Sequence, residues 1–323
     1  MNEERKEVFV GIDVSKDTLE VYMTGWSKSR CHKNDTVGIG KIIEDLKGER
    51  VGLVVIEATG GYERTVIQTL QGQGLMVAQA NPRQTHSFGQ SLGTLAKSDP
   101  IDSKTLALYA EKIRPRAMIR LSDEMLELQA LNRRRDQLND FLVQEKNHAK
   151  NPTVSDSERQ CIKESKKFIR RQIRKVDELR LKIVEKEATL KAIYQALDDE
   201  DGIAQQGACM LMGGIPELGD LNRAKVSALV GVAPYNDDSG KREGNRSIYG
   251  GRKAPRNILY MLTLTAIRRN EHIRKVYLNL VKRGKLKKVA IVACMRKYII
   301  YLNSRIAEVK RELKLPALYV PTA

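Results

Sequence analysis

Short unbroken apolar runs alternate with helically spaced ones along the first eighty residues. Val8-Phe9-Val10-Gly11-Ile12 is such a run, and it ends abruptly in a carboxylate, Asp13. Thr18–Met23 then alternates apolar and polar residues, the mark of a strand with one buried face, and a short third strand is expected from Arg30 to Asn34. Ile42, Ile43 and Leu46 share one face of a helix over roughly Ile39–Leu46. Val51–Ile56 is a second fully apolar strand, and it too ends in an acid, Glu57. Ala58-Thr59-Gly60-Gly61 turns the chain into a helix near Tyr62–Gln73, which Gly74 stops. Leu75–Ala80 is a further strand, closed by Asn81-Pro82.

Antiparallel strands followed by strand-helix-strand units describe a mixed α/β sheet of ribonuclease H-like layout. In that layout the first and fourth strands are parallel neighbours, so Asp13 and Glu57 emerge side by side at the sheet rim. Further on, Asp99-Pro100-Ile101-Asp102 heads an apolar helix containing Leu106, Ala107, Tyr109 and Ala110. Asp99 before Pro100 reads as an N-cap. Asp102 lies three residues on, on the same face, where two like charges repel unless a cation sits between them. Four acids so placed suit two divalent ions about 4 Å apart, which activate an attacking oxygen and stabilise a leaving oxygen at a phosphodiester.

Cys31, Cys161, Cys209 and Cys294 are scattered singly, and His32, His86, His148 and His272 form no ligand pair. A structural zinc site and a disulfide framework are therefore not expected. Any metal is a hard ion, Mg²⁺ or Mn²⁺, held by carboxylates.

From about Ser122 to Leu197 the pattern becomes one of long, charged helices. A heptad register places Ile162, Ile169, Val176, Ile183, Leu190 and Leu197 at one repeated position, supported by Ile173, Leu179 and Ile193. Leu121, Leu128, Leu131, Leu138 and Leu142 on the preceding helix can meet that seam through a break at Asn151-Pro152, and pairing between protomers is equally allowed. Lys166-Lys167 and Arg170-Arg171 read as a solvated face.

The last third opens with Asp201–Gly207, a glycine-containing turn that can present N–H groups to a phosphate at the start of a helix. A helix around Lys225–Val230 ends at Gly231, and the chain then becomes polar, basic and glycine-rich from Tyr235 to Arg256. Lys241, Arg242, Arg246, Arg252, Lys253 and Arg256 all favour phosphate there, so the stretch reads as a DNA-contacting loop held between two apolar helices. Ser239 is one hydroxyl among several in it. Glu271–Leu302 reads as helical and basic around Lys282–Lys288, and the tail beyond Leu313 as draped or disordered.

Composition narrows the partners. Across 323 residues, 57 Lys and Arg stand against 40 Asp and Glu, a net charge of +17 that calls for a polyanion. The absence of a spanning run or a signal h-region points to nucleic acid rather than a membrane and to a cytoplasmic, nucleoid-associated protein. Aromatics at 5% disfavour recognition by base stacking, leaving duplex DNA or structured RNA. Gly40-Lys41 lacks the rest of a Walker A motif.

Gly-Ile-Asp13-Val-Ser-Lys, Ile-Glu57-Ala-Thr-Gly-Gly, Lys-Ser-Asp99-Pro-Ile-Asp102, Leu229-Val-Gly-Val-Ala-Pro and Arg246-Ser-Ile-Tyr-Gly-Gly-Arg252 occur in one order. Together they resemble the DEDD-type insertion-sequence transposases, the bridge-RNA-guided serine recombinase family, in the branch with a Gly-Gly-Arg segment. The resemblance implies a RuvC-like catalytic domain over residues 1–115 with Asp13, Glu57, Asp99 and Asp102 as Mg²⁺ ligands. It also implies a helical coiled-coil segment over 116–198 and a mostly α-helical C-terminal transposase domain over 199–323. There Ser239 attacks DNA and forms a transient phosphoserine link. It further implies a homo-oligomer, a dimer or tetramer, in which the acids of one protomer meet the serine of another, and a noncoding guide RNA that pairs with donor and target DNA. Gly202-Ile203-Ala204 departs from the Gly-Ile-Gly turn expected of the family. Two other readings compete: a RuvC-like nuclease that uses water and needs no Ser239, and a non-catalytic nucleic-acid-binding scaffold. A sugar-kinase-like ATPase would carry Gly where Ser15 stands.

Overall fold

Strand alternation decides how the N-terminal sheet is layered. The computed structural model describes residues 6–93, 98–236, 246–316 and 319–320. It divides into one unit up to Arg120 and another over Leu121–Val320. In the first unit β1 (Val8–Val14), β2 (Thr18–Met23), β3 (Arg30–Lys33), β4 (Val51–Glu57) and β5 (Val77–Ala80) form a sheet in the order β3-β2-β1-β4-β5. The β3, β2 and β1 strands pair antiparallel, while β1, β4 and β5 run parallel. Val10, Ile12 and Val14 face one side, packing with Ile39 and Ile42 of α1 (Thr36–Leu46) and Val66 and Leu70 of α2 (Arg64–Gly72). Phe9, Leu53 and Val55 face the other, under Leu106, Tyr109 and Ala110 of α4 (Asp99–Ile113).

Apolar spacing gives no sign of α3 (Pro82–Ser91), because that helix buries only Thr85 and Gly89. Its start is set by capping instead: the Asn81 side chain accepts from the Arg83 N–H at 2.9 Å and Pro82 occupies the first turn. Phe88 of α3 meets Tyr109 of α4 edge to face at 5.3 Å.

The position of α4 depends on Gly11. A β-carbon there would lie 2.1 Å from the Ser103 carbonyl oxygen and 2.3 Å from the Ala107 nitrogen, so the helix backbone rests directly on β1.

In the second unit α5 (Asp123–His148) and α6 (Asp156–Lys186) form an antiparallel pair that buries Leu128, Leu138 and Leu142 with Ile162, Val176 and Ile183. Arg135 Nε donates to Asp177 Oδ1 across the pair at 2.7 Å. The expected heptad does not continue as one helix. Glu187 is extended at φ −123° and ψ 128°, so Leu190 and Leu197 belong to a separate helix, α7 (Ala188–Asp198), and enter the globular core. Leu179, expected in the seam, is exposed. Arg180 takes the interior place beside it, bonded to Asp177 Oδ1 at 2.8 Å and to the Gln206 carbonyl at 3.2 Å.

That core also gathers α8 (Gln205–Gly214), α9 (Arg223–Val230), α10 (Lys253–Arg269), α11 (Glu271–Lys282) and α12 (Lys287–Glu312). The helical stretch expected from Glu271 to Leu302 consists of α11 and α12, separated by a turn with Gly284 at φ +78°. Buried Lys310 of α12 donates to the Leu218 carbonyl at 2.9 Å and to Asp220 Oδ2 at 2.7 Å, fixing the segment that leads out of α8. Among the described residues, no helix is long and apolar enough to cross a membrane.

Replacing Gly11 with Val is expected to destabilise the protein by about 3 kcal/mol or more, the upper end of overpacking, because the obstacle is helix backbone and not a pliable side chain. Urea unfolding of the two proteins measures it.

Candidate active site

With Ile12 paired beside Ile56 at the end of the parallel β1–β4 ladder, the next residues on each strand, Asp13 and Glu57, stand at one level of the sheet. Both follow the alternation of Phe9 and Gly11, and of Leu53 and Val55, onto the face that α4 covers. Helix α4 opens with Ser98 in the N-cap position, its side chain making no capping bond, and Asp99 already helical. Asp99 is therefore not the cap that its place before Pro100 predicts. Asp99 and Asp102 sit in the first turn of the helix that Gly11 holds against β1.

The four acids act on one another. Burial, and then the negative charges of Asp99, Asp102 and Glu57, push the Asp13 carboxyl up to about 6. Donors of this kind, oxygen only and anionic, suit a hard divalent cation, which would offset the repulsion lifting Asp13. Among the described residues no three Asp, Glu, His or Cys side chains are close enough to hold an ion together. The acids share an electrostatic field without forming a closed coordination shell.

Three supporting residues escape sequence reasoning. Thr85, from the helix that periodicity misses, donates its hydroxyl to Glu57 Oε2 at 2.8 Å. Buried Glu63 accepts from the Gly61 N–H at 2.8 Å, the Thr59 hydroxyl at 3.1 Å and Gln79 Nε2 at 2.9 Å, bracing the turn that follows Glu57. Burial raises the Glu63 carboxyl, but its own N–H and the donors of Gly61 and Thr59 outweigh that and leave it below the usual range. Gly11 is the third, and its signal was present: a glycine inside an otherwise fully apolar strand marks a close backbone approach.

The basic stretch of the second unit is closed at its base. Gly231, which ends α9 at φ +71°, lies so near Gly251 that a β-carbon on Gly251 would stand 2.2 Å from the Gly231 nitrogen. The Arg252 N–H donates to the Leu229 carbonyl at 2.7 Å, and Pro234–Tyr235 pairs antiparallel with Ser247–Ile248. Arg256 Nη1 donates to the carbonyls of Gly250 at 2.6 Å and Gly231 at 3.3 Å. Arg252 grips buried Glu217 with two bonds of 2.7 Å and also reaches the Gly214 carbonyl at 3.1 Å. Arg252 and Arg256, expected to face phosphate, make these bonds to protein acceptors, and the Arg252 side chain remains partly exposed. Arg246 and Lys253 are exposed, whereas Ser239, Lys241 and Arg242 lie outside the described residues.

Two family models match this chain. Residues 10–152, which include all four acids, match the IS110-type DEDD transposase model, described as a transposase. Residues 194–278, which include Ser239 and the Gly-Gly-Arg segment, match the "Transposase IS116/IS110/IS902 family" model. The pilin gene-inverting protein of Moraxella lacunata is 24% identical over 303 residues, covering 91% of this chain and 94% of the relative. Its counterpart from Moraxella bovis is 23% identical over 303 residues with the same coverage.

Asp13→Asn is expected to raise the melting temperature of metal-free protein at neutral pH. The native carboxyl sits near 6 against an ordinary 3.8, so the stability it contributes is complete below 3.8 and is lost as pH rises through about 6. The advantage of the Asn variant should therefore shrink as pH falls through that window, as melting curves in EDTA would record. Breaking a buried ion pair costs about 3–5 kcal/mol, and with the Arg252 side chain 41% exposed Arg252→Ala should cost about 2. Arg252→Lys should recover only part of this because it loses the two-pronged geometry, and denaturant unfolding separates the variants.

Proposed function

Since the chain carries IS110-family transposase domains and is a DNA transposase or recombinase, we propose that it cuts and rejoins donor and target DNA through a phosphoserine link on Ser239. In this reading a noncoding guide RNA selects both DNAs, and Mg²⁺, with Mn²⁺ as a substitute, is held by Asp13, Glu57, Asp99 and Asp102. The observation that carries the proposal is that strand register and the first turn of α4 bring Glu57, Asp99 and Asp102 within electrostatic reach of Asp13, short of a closed coordination shell.

When bound, the metal supplies polarisation of the phosphate and neutralisation of developing charge. Ser239 Oγ attacks phosphorus in line: the Oγ–P bond forms, the bond from phosphorus to the opposite deoxyribose oxygen breaks, and the hydroxyl proton passes to water or a carboxylate. Rejoining reverses the step, with a DNA hydroxyl attacking the phosphoserine and Ser239 leaving. Exposed Arg246 and Lys253 offset phosphate charge at the base of the serine stretch. Glu57 is oriented for its part by the Thr85 hydroxyl.

Several features support this reading. The four acids lie on one unit and the described residues on either side of Ser239, Tyr235 and Arg246, on the other, which suits an oligomer whose acids serve a partner's serine. The charge of +17 with few aromatics suits a duplex and a structured RNA more than stacked single strands. Inverting a gene, which gives the Moraxella relatives their name, is itself an exchange of DNA strands.

Ser239→Ala is expected to abolish both the covalent protein–DNA adduct and strand exchange in reactions with guide RNA and Mg²⁺. Asp13→Ala is expected to abolish cleavage while nucleic-acid binding persists. Denaturing gels of labelled DNA read both outcomes. Full strand exchange by the Ser239→Ala protein would overturn the serine mechanism and leave the water-using nuclease; adduct formation in EDTA would overturn the metal.

A further inference from the structure

The described surface carries a dense cationic cluster that neither the acids nor the serine stretch accounts for. Helix α11 ends at Lys282, α12 begins at Lys287, and Arg283-Gly284-Lys285-Leu286 joins them. Lys282, Arg283, Lys285, Lys287 and Lys288 are all exposed, and none is ion-paired to a described residue. Counter-charge is also missing from the surrounding sequence. Between Gly244 and Ala307 there are sixteen lysines and arginines and one acid, Glu271, which is already paired with Lys275 at 2.7 Å.

Local physics favours only Lys282, in the last turn of α11, and not the rest of this arrangement. Five like charges crowd one turn, and Lys287 and Lys288 stand at the positive end of the α12 dipole. No acid in the first turn and no capping side chain relieves them. Leu286, at the centre of the cluster, is 76% exposed. A polyanion would convert the crowding into attraction, and an apolar tip among cations fits a groove wall better than bulk water. The basic run on α6 differs: Lys166, Lys167, Arg170 and Arg171 are interspersed with Glu158, Glu164 and Asp177, and Arg171 lies over the Phe168 ring at 5.4 Å.

We propose that the α11–α12 turn is a sequence-independent contact for the backbone of duplex DNA, with Leu286 set into the adjoining groove. This rests on DNA being the substrate and not on the role of Ser239, so binding without cleavage tests it separately. Full-length protein in EDTA is titrated with a short DNA duplex of arbitrary sequence, by fluorescence anisotropy, between about 50 and 200 mM salt. Changing all five cations to Gln should lower the slope of log affinity against log salt by about 3–4 and weaken binding at least about tenfold, equally for unrelated sequences. Lys→Arg at positions 282, 285, 287 and 288 should keep the slope. Gln at Lys166, Lys167, Arg170 and Arg171 should scarcely move it. If the fivefold variant loses helical signal, Lys285→Glu with Lys287→Glu probes the same contact and should give a smaller fall in slope. An unchanged slope in a folded variant, an equal fall from the α6 set, or a fall seen with duplex RNA and not with DNA overturns the assignment.

Discussion

A helix can approach a sheet only as closely as the side chains between them allow, and at Gly11 there is none. The backbone of α4 at Ser103 and Ala107 occupies the space of a missing β-carbon, which brings the first turn of that helix to the end of β1. Strand pairing brings Glu57 to the same place from the other side. Burial, and then the charges that these two constraints bring near, raise the Asp13 carboxyl. The fold holds negative charges near one another because helix packing and strand register leave them little freedom to separate, and Thr85 and Glu63 stiffen the β4 side further.

The second unit reuses the device with different chemistry. Gly231 and Gly251 let two chain segments touch, and an ion pair with a buried member, Glu217, fastens the contact to the helical core through Arg252. Glu217 lies between Gly214 and the segment that Lys310 and Asn303 anchor on α12, so the clasp is tied to a well-packed helix. Oppositely charged groups hold this unit where like charges define the first.

Much of this was legible in the residues. The runs Val8–Val14 and Val51–Glu57, each ending in an acid, imply parallel neighbours, and the adjacency of Asp13 and Glu57 follows from strand order. What stayed hidden has identifiable causes. Helix α3 has no apolar stripe, so Thr85 had no visible context. The leucine spacing persists across Glu187 although the helix does not, because periodicity records side chains and not backbone angles. An arginine suits a carboxylate as well as a phosphate, and Glu217, thirty-five residues before Arg252, is too distant for local patterns to pair them.

The touching glycines also bring the two ends of the segment between them together, so that the segment is closed at its base. The entropy of closing a loop changes only slowly with its length, so residues added to or removed from the sequence between these contacts would barely alter the fit of α9 against α10. A longer or shorter segment could thus be carried on the same helical body without repacking it.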